Sequence, residues 1–312
     1  MLASSAHADW SEASSEHFVI YSDQSEKSLR PFAERLELFH ATMAQVLRKS
    51  PPKPSPSNRV TIFVVSSEEE VRKLVEADKT FIAGIYRPRA GATVALVPQL
   101  RQARSKLELA PETVLYHEYA HHFMAGITAR AYPRWFVEGF AEFFAGVRFK
   151  ADQVNLGMPA THRVLELELA THLPIRQLLA YDGGAKEPKS RRDAFYGDSW
   201  ALFHYLQFAP ERAGQLGRYQ ALLGQGQSAL DAAQGAFGDL DELEQEVLLY
   251  WKRGYMSHVV IDRKTLAIGP IGVSKLPPGA AAMMPITLRS KLGLPEEDAA
   301  ALLPEAQQIA AQ

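Results

Sequence analysis

Two histidines four residues apart enclose a glutamate in the run His117-Glu118-Tyr119-Ala120-His121. On a helix, residues four apart share a face, so the two imidazoles converge on one point. Neutral imidazole is a common ligand for zinc. Glu118, beside the first histidine, can reach a water held at that point without being a ligand, which suits it to general-base work. His122 points about 100° away from His121 around a helix and is not expected to join the pair.

The chain contains no cysteine. Thiolate zinc sites, disulfides, iron–sulfur clusters and cysteine nucleophiles are excluded together. A catalytic zinc takes three protein ligands and keeps one position open, so the third must be Asp, Glu or His. The stretch Pro133-Arg134-Trp135-Phe136-Val137-Glu138-Gly139-Phe140-Ala141-Glu142-Phe143-Phe144 places two acids in apolar surroundings. A carboxylate there is costly unless it is paired or bound to a metal. Glu138 and Glu142 share a helix face. One can ligate a metal while the other orients a ligating histidine. A buried structural ion pair is the other reading of these two acids.

These residues need helices to position them. Pro111 and Glu112 favour a helix start and Gly126 a helix end, giving a helix over 112–125. Pro133 opens a second, over 134–147. Further helical patterns cover about 161–171, 196–208, 212–223 and 239–252. Upstream, His17–Tyr21, Arg59–Val65, Phe81–Tyr86 and Ala92–Val97 read as strands. Arg87-Pro88-Arg89-Ala90-Gly91 has turn chemistry, so the last two form a hairpin. Leu29, Phe32, Leu36, Phe39, Met43 and Val46 recur at helical spacing between Ser25 and Arg48. Ser67, with Glu70 three residues on, is a capping-box start for a short helix.

Strands followed by helices predict the α+β class, with a small mixed β-sheet and then a mainly helical subdomain. The expected division is 1–9 as a terminus, 10–110 as an α/β subdomain, 111–255 as the helical subdomain with the site, and 256–312 as an extension without an assigned role. That extension has short β-like pieces such as Val259-Val260-Ile261 and a last helix from about Pro295 to Ala311.

Composition limits the partners. Apolar residues make up 46% and charged residues 22% of the 312 residues, an ordinary globular balance. Thirty-four basic residues against 36 acidic ones leave a net charge of −2, so no single-sign field attracts nucleic acid. No run of eighteen apolar residues is available to span a membrane. Ala6-His7-Ala8 resembles the small-x-small end of a secretory signal, which implies a periplasmic or secreted protein; a frayed terminus on a cytoplasmic chain is the other reading.

His117-Glu118-Tyr119-Ala120-His121 followed by Trp135-Phe136-Val137-Glu138-Gly139-Phe140-Ala141 resembles the gluzincin metallopeptidases, in particular the thermolysin-like catalytic domains grouped as peptidase-MA-like. The resemblance covers about residues 10–255. It implies the zincin architecture, a bound zinc, and Glu138 as third ligand, 17 residues after His121. It gives Glu142 the task of holding the first zinc histidine. It implies a downstream Tyr or His that donates to the oxyanion. Tyr196 is the best candidate, read as opening a helix after a polar loop, with His204 and Tyr205 as fallbacks. It also implies that the strand before the motif helix, Ala92–Val97, is a sheet edge. An extended peptide would pair there with backbone of Val94 or Ala95.

The expected function is a zinc-dependent metallopeptidase acting on a peptide or protein. Two alternatives keep the same metal: a catalytically silent, zinc-stabilised peptide-binding module, and a zinc amidase acting on cell-wall peptides. Glu118 argues against the silent module, because it has no structural duty.

Overall fold

The computed structural model describes residues 10–67, 69–71, 85–87, 93–98, 110–159, 161–169, 171–182, 189–253, 255–293 and 296–311. The signal-like residues 1–8, the start of the Phe81–Tyr86 strand and the expected turn at 88–91 lie outside them. The class is α+β.

Packing divides the described chain into two bodies. Residues 10–98, 110–115 and those from 266 onward belong to the first, and 116–265 to the second. The first body is built on a six-stranded mixed sheet. Its strands are β1 (Ser11–Ser14), β2 (Phe18–Ser22), β3 (Val60–Val65), β4 (Ile85–Arg87), β5 (Val94–Pro98) and β9 (Gly272–Lys275), in the order β4-β5-β3-β2-β1-β9. β2, β3 and β5 run parallel, and the other pairings are antiparallel.

All six residues of β3 are buried, which accounts for a strand apolar at every position but Thr61: both faces of this central strand are covered. Phe63 and Val65 join Trp10, Val94, Leu96, Met284 and Leu288 in one core cluster. The last two come from α11 (Met284–Leu292), next to the short α10 (Pro278–Ala282). The first helix, α1 (Glu26–Leu47), packs on β1, β2 and β9. Its buried Glu37 accepts from the His17 backbone N–H at 2.9 Å, and its other oxygen lies 2.7 Å from His17 Nδ1.

The second body is mainly helical. From Tyr116 it takes up α2 (Pro111–Ile127), followed by α3 (Arg134–Ala145), α4 (Thr161–Leu169), α5 (Ile175–Leu179), α6 (Lys189–Phe208), α7 (Gln215–Gly224), α8 (Ala229–Phe237) and α9 (Leu240–Lys252). A three-stranded sheet, β6 (Arg148–Phe149), β7 (Gln153–Leu156) and β8 (Val259–Asp262), completes it. Gly139 on α3 is a close-approach position. A Cβ there would lie 2.5 Å from the Ser199 carbonyl oxygen and 2.8 Å from Phe203 Cβ on α6. Only glycine lets these two helices touch.

Three expectations are corrected. β5 is not a sheet edge: Val94 lies opposite Thr61 and Arg87, and Ala95 opposite Ile62 and Tyr86, so both have strand neighbours on each side. The short β4 occupies the edge, and Val94 and Ala95 have no free ladder side for a peptide. Proline at either position is therefore expected to cost about 2–4 kcal/mol, one lost bond plus the carbonyl it strands. Thermal melts check this, and a Val94→Pro or Ala95→Pro protein melting like wild type would remove that position from the ladder. Residues 256–312 are not a separate extension, since β8 joins the second body and β9, α10 and α11 join the first. Tyr196 does not open a helix, because α6 starts at Lys189, seven residues earlier.

A candidate metal centre on two helices

α2 starts at Pro111, whose ring is preset for the first helical turn, and carries Glu112 there as an acid near the positive helix end. His117 and His121 follow on one face. α3 is apolar apart from Arg134 and the two acids, with Trp135, Phe136, Phe140, Phe143 and Phe144 buried. That burial fixes the rotation of α3 about its axis and turns Glu138 and Glu142 toward the histidines.

The three expected ligands come together. His117 Nε2 lies 3.0 Å from His121 Nε2 and 3.2 Å from Glu138 Oε2, and His121 Nε2 lies 3.3 Å from the same oxygen. A tetrahedral ion bonded at about 2.0–2.1 Å spaces its donors by about 3.3 Å, so the triangle has the size of one face of a zinc site. Glu138 Oε2 is also buried and accepts no aligned hydrogen bond. Its nearest polar neighbours are the two histidine nitrogens, so the three atoms are free to share one cation. Among the described residues this is the one His/Asp/Glu group able to hold a metal.

Glu142 stands behind His117. It is 2% exposed, and its Oε1 lies 3.0 Å from His117 Nδ1. Arg163, on α4, donates to the same oxygen at 2.5 Å. Burial alone would raise the Glu142 carboxyl; Arg163 and His117 reverse this and hold it well below the usual carboxylate range. Glu138 behaves likewise: burial raises it, but the two histidines bring it down to about 2. Burial would lower His117, yet the two carboxylates push it up to about 10. A field that favours a proton so strongly at that imidazole also favours a metal cation.

With His117 Nδ1 directed at Glu142, Nε2 is left for the metal. Glu142→Ala is expected to weaken zinc binding about 10- to 100-fold without abolishing it. Chelator competition measures this. Complete metal loss in Glu142→Ala beside retention in Glu138→Ala would exchange the roles of the two acids.

Glu118 is half-buried, and among the described residues no hydrogen bond or ion pair engages its carboxylate. His122 stacks on Tyr119 at 5.6 Å and stays out of the cluster. Tyr196 does reach the site: its ring centroid is 6.4 Å from that of His117. Burial and the Glu138 charge raise its pKa, against Arg134 and Arg163. Its hydroxyl stays protonated at neutral pH and can donate to negative charge developing within its reach.

The fallbacks are structural. His204 is fully buried, with Nε2 2.8 Å from the Gly157 carbonyl oxygen and the Tyr250 hydroxyl 2.9 Å from Nδ1, and burial pushes it down to about 4. The Tyr205 hydroxyl donates to Glu246 at 2.9 Å.

Sequence reasoning missed Arg163 and the opening beside His121. The opening is a pocket of about 370 Å3 lined by His121, Met124, Thr128, Arg130, Tyr132 and Val137, among others. Among the described residues no carboxylate lines it. The Arg163–Glu142 pair has no helical spacing to announce it. No protein-family model matches the chain, and no curated protein matches it.

Proposed function

We propose that the chain is a zinc-dependent peptidase of the gluzincin kind, in which His117, His121 and Glu138 hold the metal. The observation that carries this reading is the donor triangle, with its buried Glu138 oxygen between the two histidine nitrogens and with Glu118 one residue from the first ligand. Zinc, when bound, lowers the pKa of a coordinated water toward 7 and polarises a carbonyl.

The chain's own residues do the rest. The Glu118 carboxylate takes the proton from the attacking water and returns it to the leaving amine nitrogen. The Tyr196 hydroxyl donates to the oxygen of the substrate carbonyl as charge develops there. Glu142 holds the His117 ring against rotation and keeps its Nδ1 proton in place. The pocket beside His121, with no acid in its wall, suits an apolar side chain of the substrate.

The deciding experiment measures metal content of the purified protein together with cleavage of a broad peptide library, with and without chelator. Chelator-sensitive cleavage and about one zinc per chain support the reading. Zinc without cleavage would leave a metal-stabilised binding module, and cleavage confined to cell-wall peptides would make the enzyme an amidase.

A further inference from the structure

We propose that Arg163 is a positioning residue that fixes the tyrosine side and the metal side of this site in one geometry. The inference rests on the metal reading above and concerns a residue no motif marks.

The Arg163 guanidinium makes two different contacts at once. Its Nη2 donates to Glu142 Oε1 at 2.5 Å, and Glu142 in turn holds His117. Its Cζ also lies 4.9 Å from the centroid of the Tyr196 ring. The side chain is 12% exposed, so both contacts are made out of water and are worth more than at a surface. The helices are built for the approach. A Cβ on Gly197 would lie 3.3 Å from Leu167 Cγ and 3.6 Å from the Arg163 carbonyl oxygen, so a longer side chain at 197 would push α4 away from α6.

A planar guanidinium can offer its edge to a carboxylate and its face to a ring. A lysine ammonium is a point charge and cannot do both from one position. If Arg163 served only to neutralise Glu142, lysine would replace it. If it also holds Tyr196, lysine keeps the metal and loses the tyrosine.

The test uses Arg163→Lys, Arg163→Met and Tyr196→Phe in the full chain. Arg163→Lys should bind zinc within a few-fold of wild type in chelator competition. Its kcat/KM should fall about 10- to 100-fold, the penalty of a donor displaced by about 1 Å. In the Tyr196→Phe background the same change should cost little more, since the hydroxyl it positions is gone. In 13C-tyrosine-labelled protein, with Tyr196 assigned through Tyr196→Phe, Arg163→Lys should move the Tyr196 ring signals and leave those of Tyr219 in place.

Arg163→Met should weaken zinc about 10-fold beside Glu142, and much less beside Glu142→Gln, where no buried charge is left unpaired. That second pairing also covers a fold weakened by Arg163→Met alone. Unmoved Tyr196 signals in Arg163→Lys, or losses that simply multiply with those of Tyr196→Phe, would overturn the proposal. Absence of peptide cleavage in wild type, with the zinc and resonance results as expected, would remove the peptidase reading and leave the positioning role standing.

Discussion

Replacing His117 by alanine is expected to abolish the zinc binding proposed above. The site has three protein donors, and His117 is the one held from behind by a buried carboxylate. Apparent zinc-binding energies of about 10–16 kcal/mol, shared over three or four ligands, assign each about 3–4 kcal/mol, or two to three orders of magnitude in affinity. His117→Ala also strands Glu142 beside Arg163 without its second partner. Elemental analysis after dialysis should read about one zinc per chain in wild type and close to none in the variant. Glu138→Ala should behave the same way, because it deletes the only anionic donor of the three. Equal metal content in wild type and His117→Ala would mean that the triangle holds no ion.

Glu118→Gln is expected to separate metal from chemistry. The amide has the shape of the carboxylate but cannot take a proton at neutral pH. Glu118 is absent from the ligand set and half exposed, so neither the fold nor the metal should depend on its charge. A general base contributes about 10²- to 10⁴-fold, and that is the loss expected in kcat at unchanged zinc content. Full activity in Glu118→Gln would move the base elsewhere. Loss of zinc would instead make Glu118 part of the metal's support.

The candidate site was legible because its parts lie on two helices and helices have a fixed period. His117 and His121, like Glu138 and Glu142, sit four residues apart, so spacing alone puts each pair on one face. The apolar run around the acids signalled burial, and the structure buries Glu142 almost fully. Arg163 was not legible, since its partner is on another helix 21 residues away in sequence and only packing sets that distance.

The sheet was readable in part. The β-branched and aromatic run of β3 marked a strand, and its place inside the sheet comes from its parallel pairing with β2 and β5. The edge was misassigned because it was taken from the resemblance; the hairpin gives β5 one neighbour, and its second, β3, is set by a parallel pairing that no local signal announces. Nothing in Gly272-Val273-Ser274-Lys275 announces a strand, as none of its side chains is buried, and its order comes from backbone pairing to β1.

That last pairing has a bearing on how the chain comes off the ribosome. β1 begins at Ser11 and its neighbour β9 ends at Lys275, so the six-stranded sheet lacks one member until residue 275 has been made. The helical body is complete thirteen residues sooner, its strand β8 ending at Asp262, and its pairing partner β7 lies only about a hundred residues before β8. Loop closure over so long a separation is entropically demanding and slow, and domains whose segments emerge together fold first. Synthesis therefore leaves the apolar side chains of β3 and β5 waiting for α11, and chains ending at residue 265 should protect the 116–265 segment from protease while the sheet stays open to it.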